Sequence, residues 1–330
     1  MKVKFGNKKK ELRAVWYDKG VIKVIDQRAL PKELVIRELK NYREVATAIR
    51  TMVVRGAPSI GALAAYCIAQ AKDPEKASTI LKKTRPTAYD LFFGMDYVLR
   101  AIKKGDNGVK AAKRYADEII DECKKIGING EKLIRDGAQI LTHCNAGALA
   151  TVDVGTALSP IKFAHYNNKN IFVFVSETRP LLQGARLTSW ELLQEDIPHA
   201  IITDSASGHF MKKKEIDMVI VGADRITLNC DVVNKIGTYE KAVLAKENMV
   251  DFYVAAPNST FDFKTKRGGD VLIEERSEEE VVSIEGKRIA PKGAHSLNPA
   301  FDVTPSKFIT GFITKDGVFT PEEMKEHWRR

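Results

Sequence analysis

A thiol and a carboxyl stand at matching places in this chain. Each lies in a short polar loop straight after a run of β-type apolar residues. Gln139-Ile140-Leu141-Thr142-His143 leads to Cys144, then Asn145-Ala146-Gly147. Met218-Val219-Ile220-Val221-Gly222-Ala223 leads to Asp224, then Arg225. In an open parallel α/β sheet, loops at the carboxyl ends of strands line one crevice, and ligands bind there. A thiol and a carboxyl brought together in it form a proton-transfer pair. Each residue also has a plainer reading. Cys144 can be a small buried hydrophobe. Asp224 can cap a following helix.

Other loops after strand-like runs add polar groups. They are Glu177-Thr178-Arg179-Pro180 and Asp204-Ser205-Ala206, with Gln183-Gly184-Ala185-Arg186 and Asn234-Lys235-Ile236-Gly237 close by. Acid, base, amide and thiol at one sheet edge suit a polar phosphorylated ligand. Asn145-Ala146-Gly147 offers backbone N–H groups at a helix start, a phosphate-binding device, or is an ordinary strand-to-helix turn. Neither the GxxxxGK[ST] loop nor the GxGxxG fingerprint of nucleotide binders is present. Arg55 and Arg85 are each a bidentate phosphate clamp or half of a surface ion pair. His143 and His209 lack partners at metal-ligand spacing, so no metal is expected.

The elements that must position these residues follow from pattern. Leu12–Tyr17 and Val21–Asp26 flank Asp18-Lys19-Gly20 and predict a β-hairpin. Helical spacing then predicts helices over Arg43–Val53, Pro74–Leu81, Thr87–Ile102 and Val109–Gly127. Pro58 suits the first turn of another helix. From Gly137 the texture changes to short β-rich runs: Ile140–His143, Ile171–Val175, Ala200–Thr203, Met218–Val221, Phe252–Ala255 and Phe308–Ile313. Helical stretches at Ala148–Ser159, Thr188–Gln194, Ala206–Lys213 and Thr238–Asn248 separate most of them. That alternation predicts an α/β chain with a parallel sheet covered on both faces. Glu274–Pro305 is polar, with Gly and Pro, and reads as a long excursion before the last strand. The reading divides the chain into a hairpin-plus-helical domain, 1–130, and an α/β domain, 131–330.

Bulk composition is compatible with this. A length of 330 residues suggests two domains, and 44% hydrophobic residues supply a sizeable core. The net charge of +10 is dispersed, because Lys8-Lys9-Lys10 and Lys212-Lys213-Lys214 stand far apart without interleaved aromatics. Nucleic acid is therefore not an expected partner. The four cysteines, at 67, 123, 144 and 230, lack CxxC spacing. Ala57–Ala71 is the longest apolar run, too short to span a bilayer, and reads as a buried helix. The basic start with no apolar stretch behind it points to the cytoplasm.

The motifs together resemble the methylthioribose-1-phosphate isomerases. The resemblance rests on Arg55-Gly56-Ala57-Pro58-Ser59-Ile60-Gly61, Thr84-Arg85-Pro86-Thr87-Ala88 and Thr142-His143-Cys144-Asn145-Ala146-Gly147. It extends to Glu177-Thr178-Arg179-Pro180, Leu182-Gln183-Gly184-Ala185-Arg186, Gly222-Ala223-Asp224-Arg225 and Asn234-Lys235-Ile236-Gly237. It implies a Rossmann-like C-terminal domain, a helical N-terminal domain and a homodimer. It implies conversion of 5-methylthioribose 1-phosphate to the 2-ketose in methionine salvage, with no metal or organic cofactor. Cys144 and Asp224 match the catalytic pair, Asp224 in the proton-donor position. Arg55, Gly56, Ala57, Arg85, Gln183, Asn234 and Lys235 match substrate-binding positions. The hydrogen moving from C2 to C1 is then taken by a Cys144 thiolate or shifts directly as hydride.

Three departures stand out. Ser176 replaces a usual Asp, Val152-Asp153-Val154 replaces an aromatic-glycine segment, and Cys230 replaces a Gly. They bear on the 5-substituent and bring in 5-deoxyribose 1-phosphate as a further substrate. The alternatives are ribose-1,5-bisphosphate isomerase, and a non-catalytic regulatory subunit of translation initiation factor 2B.

Overall fold

The computed structural model describes residues 1–5, 8–85 and 89–327. Pro86, Thr87 and Ala88, part of the second motif and the start of the third expected helix, lie outside the described residues.

The chain begins with a strand pair, β1 (Lys2–Phe5) and β2 (Lys8–Glu11). The expected hairpin follows as β3 (Val15–Asp18) and β4 (Val21–Ile25), with a third strand, β5 (Ile36–Leu39), that the sequence reading missed. Ile22 and Val24 are buried on either side of the half-buried Lys23, so the alternation is present over those positions. Five helices come next: α1 (Tyr42–Arg50), α2 (Ala57–Gln70), α3 (Pro74–Lys82), α4 (Tyr89–Lys103) and α5 (Gly108–Glu131). Asn41 caps α1 through its side chain, accepting from the N–H groups of Arg43 and Glu44. Helix α2 is buried nearly all round, as its apolar run requires. Pro58 sits in its first turn.

The second half builds β6 (Gln139–Thr142), α6 (Leu158–Tyr166), β7 (Phe172–Ser176), α7 (Ser189–Gln194), β8 (His199–Ile202), α8 (Ser207–Lys212) and β9 (Met218–Val221). Then come β10 (Arg225–Thr227), β11 (Val232–Lys235), α9 (Thr238–Glu247), β12 (Asp251–Ala255) and β13 (Phe261–Asp262). The excursion carries α10 (Glu279–Val282) and a two-residue ladder, β14 (Ser283–Ile284) with β15 (Lys287–Arg288). The chain closes with β16 (Phe301–Thr304), β17 (Gly311–Thr314), β18 (Gly317–Phe319) and α11 (Pro321–His327).

One sheet has seven strands in the order β18-β17-β12-β9-β6-β7-β8. Every pair is parallel except β17 with β18. Its two faces bury alternate residues of the same strands. Leu141, Val219, Val221, Phe252 and Val254 pack on one side. Ile140, Val173, Met218, Ile220 and Tyr253 pack on the other. That alternation is how a doubly covered sheet reads as continuous apolar runs.

Strand order decides where a ligand can bind. From β6 the chain winds outward through β7 and β8, then returns to place β9 on the other side of β6. The order reverses between β6 and β9, and that switch point opens a crevice at the strands' carboxyl ends. A second sheet, β13-β10-β11-β16, stands beside it.

Two expectations need correction. The helix expected over Ala148–Ser159 is only a short 3-10 turn, Ala148–Ala150, and the next α-helix begins at Leu158. The last strand expected from Phe308 begins at Gly311, because Ser306–Phe308 forms a 3-10 turn.

Candidate active site

The loops after β6 and β9 flank the switch point, so Cys144 and Asp224 reach one cavity. It holds about 800 Å³ of empty space. All nine residues singled out from the sequence line it: Cys144, Asp224, Arg55, Gly56, Ala57, Arg85, Gln183, Asn234 and Lys235. Residues some 180 positions apart in the chain thus share one wall.

The Cys144 turn is held from every side. Cys144 has φ 60°, in the left-handed region, as does Thr178 at φ 66°. Such strain persists only where the surroundings over-determine it. Here the Cys144 N–H donates to Thr178 Oγ1 at 2.8 Å, and Thr188 Oγ1 donates to the Cys144 carbonyl at 2.6 Å. Asn145 Nδ2 donates to Glu191 Oε1 at 3.0 Å. The N–H groups of Ala148 and Leu149 donate to the same carboxylate at 2.8 and 3.1 Å. The N–H groups of Ala148 and Leu149, just after Asn145-Ala146-Gly147, are thus taken by a protein carboxylate. Lys162 Nζ, 3.1 Å from Glu191 Oε2, balances the buried charge. A Cβ on Gly147 would collide with the Glu191 carboxylate.

Arg55 is buried, not a surface residue. Its guanidinium donates to the Asn145 carbonyl at 2.8 Å and to the Asn145 side-chain oxygen. Gly56, at φ 93°, lets the chain pass so close to the Cys144 loop that a Cβ would lie 2.5 Å from the Ala150 backbone. This is why the Arg-Gly-Ala-Pro segment opens α2 against the Cys144 loop.

The opposite wall comes from the second sheet. β11 carries Asn234 and Lys235, and pairs them with Asp302 and Phe301 of β16. Lys235 Nζ donates to the Ala300 carbonyl at 2.9 Å and sits 4.5 Å from the Phe301 ring centre. Asn234 Nδ2 donates to Thr238 Oγ1 at 3.0 Å. Asp224 does not cap a helix: β10 follows it, and its N–H donates to the Val233 carbonyl at 3.0 Å. Arg85 lies 3.7 Å from Glu274, which also holds Arg276 at 3.0 Å.

Burial is the largest influence on the site's ionisable groups. Burial pushes the Asp224 carboxyl above its ordinary range, while Lys235, Arg85 and Arg55 pull it back. Burial likewise pushes the Cys144 thiol up, against Arg55 and Lys235. Burial pushes the Lys235 ammonium down. Two buried polar atoms of the site, Arg55 Nε and Gln183 Oε1, have no hydrogen-bond partner among the described residues. Buried groups of that kind call for a specific explanation.

Behind Cys144 lies a second polar layer. Burial pushes His143 down to about 3, so its imidazole is neutral. His143 Nε2 is 2.8 Å from the Ile236 carbonyl, and its Nδ1 is 3.4 Å from Thr178 Oγ1. Asp204 accepts from the N–H groups of Thr178 and Arg179 at 2.9 and 2.7 Å, and from the hydroxyl of Ser176. Ser176, a departure in the sequence, therefore serves an acid on the next strand's loop. Cys230, the other open case, is buried in the core and its thiol faces the Pro321 carbonyl at 3.5 Å.

The sequence reading missed Glu191, Lys162 and Arg276. For the first two a signal existed: each is a lone charge between apolar residues, in Trp190-Glu191-Leu192 and Ile161-Lys162-Phe163. Arg276 sits in the polar excursion, where nothing marks it among its charged neighbours.

A polar, cation-rich cavity at the switch point of a parallel sheet defines an α/β protein built to hold an anionic ligand. The initiation factor 2 subunit family matches residues 43–321, and the chain belongs to that family. Within it, a methylthioribose-1-phosphate isomerase from Aquifex aeolicus is 52% identical over 323 residues, spanning 96% of this chain and 71% of the relative. A crystal structure of 5-methylthioribose 1-phosphate isomerase from Pyrococcus horikoshii OT3 superposes with a TM-score of 0.90 at 41% identity, covering 97% of this chain and 96% of that one. A structure described as translation initiation factor eIF-2B, subunit delta, from A. fulgidus gives 0.84 at 43% identity, covering 95% and 98%. Among the described residues, no helix is long and apolar enough to cross a membrane.

Proposed function

We propose that this chain is an aldose–ketose isomerase converting 5-methylthio-α-D-ribose 1-phosphate to 5-methylthio-D-ribulose 1-phosphate in methionine salvage. One observation carries the reading: Cys144 and Asp224 line a single cavity together with Arg55, Arg85 and Lys235. The isomerase relatives support it.

The chemistry follows from the substrate. A phosphate on O1 prevents the ring from opening as a free sugar does. Asp224, whose carboxyl burial pushes above its ordinary range, donates to the ring oxygen as the C1–O bond breaks. Arg55 and Arg85 hold the phosphate, and the orphaned Arg55 Nε and Gln183 Oε1 complete their hydrogen bonds with it and with sugar hydroxyls. Asn234 and Lys235 support the sugar or phosphate oxygens. Hydrogen leaves C2 for C1, and the O2 proton returns to the Asp224 carboxylate. The transfer at C2 runs through Cys144 or as a direct hydride shift. Asp224 and Cys144 act as the catalytic pair in this reading. The protein works as a cytoplasmic homodimer, with residues 1–130 and 131–330 as its two domains.

The A. fulgidus likeness favours a second reading, a regulatory subunit acting through protein partners. That role gives no reason for a thiol and an acid to share a buried, cation-lined cavity.

The test is a proton-NMR assay of the purified protein with 5-methylthioribose 1-phosphate in D2O. Ketose is expected, and Cys144→Ser and Asp224→Asn slow its formation by about 10²- to 10⁴-fold. Deuterium at C1 marks proton abstraction, and its absence marks hydride shift. Well-folded protein that makes no ketose overturns the isomerase reading in favour of the regulatory one.

A further inference from the structure

Lys241, in the opening turn of α9, is fully buried, and its ammonium has no hydrogen-bond partner among the described residues. Asp204 Oδ1 lies 3.9 Å from it. A buried charge without a hydrogen bond is costly and calls for a specific explanation. We infer that Lys241 is a positioning residue of the site: by balancing Asp204 it fixes the His143 ring as an Nε2–H donor that ties the Cys144 loop to the strand end carrying Asn234 and Lys235. The inference rests on the isomerase reading above.

The ring's contacts define its tautomer. The Ile236 carbonyl can only accept, so His143 Nε2, 2.8 Å away, carries a hydrogen. In a neutral ring Nδ1 is then a bare acceptor. It stands 3.4 Å from Thr178 Oγ1 and 3.9 Å from Asp204 Oδ1. The Thr178 hydroxyl has a single hydrogen, and the Ser176 carbonyl at 2.9 Å is its shorter acceptor. Nδ1 is thus left facing a carboxylate, an arrangement that invites a second proton onto the ring. Lys241 removes that invitation. It stands 3.9 Å from the same Asp204 oxygen, so the carboxylate is already matched by a cation. Burial, then Lys241, hold His143 down at about 3 against the pull of Asp204, and Lys235 adds a smaller push. The other acids near Lys241 are engaged elsewhere. Asp302 accepts from the N–H groups of Gly237 and Tyr239 at 2.7 and 3.1 Å, and Glu240 is exposed.

Gly237 seats ring and ammonium against one backbone turn. A Cβ there would lie 3.2 Å from His143 Cε1 and 3.5 Å from Lys241 Nζ. Without Lys241, a proton on Nδ1 would draw the ring toward Asp204. Closing 3.9 Å to an ordinary hydrogen bond of about 2.9 Å moves the ring by about 1 Å. That shift pulls His143 off the Ile236 carbonyl or drags the Cys144 loop with it. A misplacement of about 1 Å costs on the order of 10²-fold in rate.

The experiment follows the His143 ring nitrogens by NMR in the full chain with isotope-labelled histidine, assigning them by their loss in His143→Asn. Wild type should show the neutral Nε2–H ring from about pH 5 to 8. In Lys241→Met the ring should take up its proton about 1–3 pH units higher. The variant-to-wild-type kcat ratio on 5-methylthioribose 1-phosphate, in which the Asp224 titration cancels, should fall by about 10-fold from about pH 8 to 5. KM should change by less than about 3-fold. Combining Lys241→Met with Asp204→Asn removes both charges, so the ring should stay neutral again and the slope of the ratio with pH should vanish. A uniform loss at every pH that the double variant does not relieve is a structural effect only and overturns the inference. So does a wild-type His143 that carries its neutral hydrogen on Nδ1 or titrates near its ordinary value, a result that needs no variant to fold. Folded wild type that turns over no 5-methylthioribose 1-phosphate removes the isomerase reading, and the positioning role with it, whatever the ring does.

Discussion

The two walls of the cleft are built in opposite ways. The Cys144 turn, at the sheet's switch point, has its backbone strained into the left-handed region and tied by Thr178, Thr188 and Glu191. Its supports are themselves buried, down to the Lys162–Glu191 ion pair, where neither side chain is more than 2% exposed. The facing strap, residues 263–300, has Leu272, Ile289 and Leu297 exposed at 82%, 61% and 90%. Its charged contributions, Glu274 and Arg276, are side chains of the polar excursion rather than ends of core strands, tied by the Ala300 and Asn298 backbone and by the Arg276–Glu280 pair. The contrast sets a wall buried and cross-tied in the core, where bonds break, against a segment that meets solvent along much of its length. Atoms that transfer hydrogen need placement within a fraction of an ångström.

The contrast can be broken most directly at the chemical wall. Asp224→Asn and Cys144→Ser are each expected to lower kcat by about 10²- to 10⁴-fold, the range for a lost acid or base, in the NMR assay. Wild-type kcat/KM should fall as the pH rises through the raised Asp224 pKa, because the donor must carry its proton; a flat profile through the acidic and neutral range would contradict that role. Glu191→Ala leaves the buried Lys162 with only Glu195, at 4.0 Å, and frees the N–H groups of Ala148 and Leu149. It should cost about 3–5 kcal/mol in denaturant unfolding. A much smaller loss would mean that the rigid wall is less dependent on its buried carboxylate than its geometry indicates.

His143 sharpens the comparison through pH. Its folded pKa, about 3, lies below its unfolded value near 6.5. The folded state thus binds fewer protons, so stability is complete above about pH 6.5 and declines as the pH falls toward 3. His143→Asn should give a shallower decline over that window in thermal melts. In the exposed strap, Leu272→Ser should change stability by no more than about 0.5 kcal/mol, as for other exposed positions. A larger loss would show that the strap is ordered by more than its visible contacts.

Much of this was legible in the sequence. The strand–loop pattern at Cys144 and Asp224 located the cavity, since β6 and β9 fall within a residue of where their apolar runs place them. The apolar run from Ala57 gave a buried helix, and Pro58 its first turn. The motif set brought in Arg55, Arg85, Gln183, Asn234 and Lys235, and all line the cavity. The local pattern was less informative where a tertiary partner overrode propensity. Ala148–Ser159 has helical composition but forms a single tight turn, because Glu191 captures its first N–H groups and Gly147 and Gly155 form an isolated bridge. The third hairpin strand, β5, is mostly exposed, so alternation gave little sign of it.

The sequence by itself determined most of the helices, the parallel sheet and the chemical groups available at its carboxyl edge. Those are consequences of local periodicity and of residue chemistry, which neighbours in the chain carry. Only the tertiary structure decided that β9 lies beside β6, that Glu191 rather than a ligand takes the N–H groups of the Cys144 loop, and that Arg55 is buried against Asn145. It also decided that Glu274 stands between Arg85 and Arg276. Each of these is a contact between residues far apart in sequence, fixed by strand order and packing, and no local pattern carries that information.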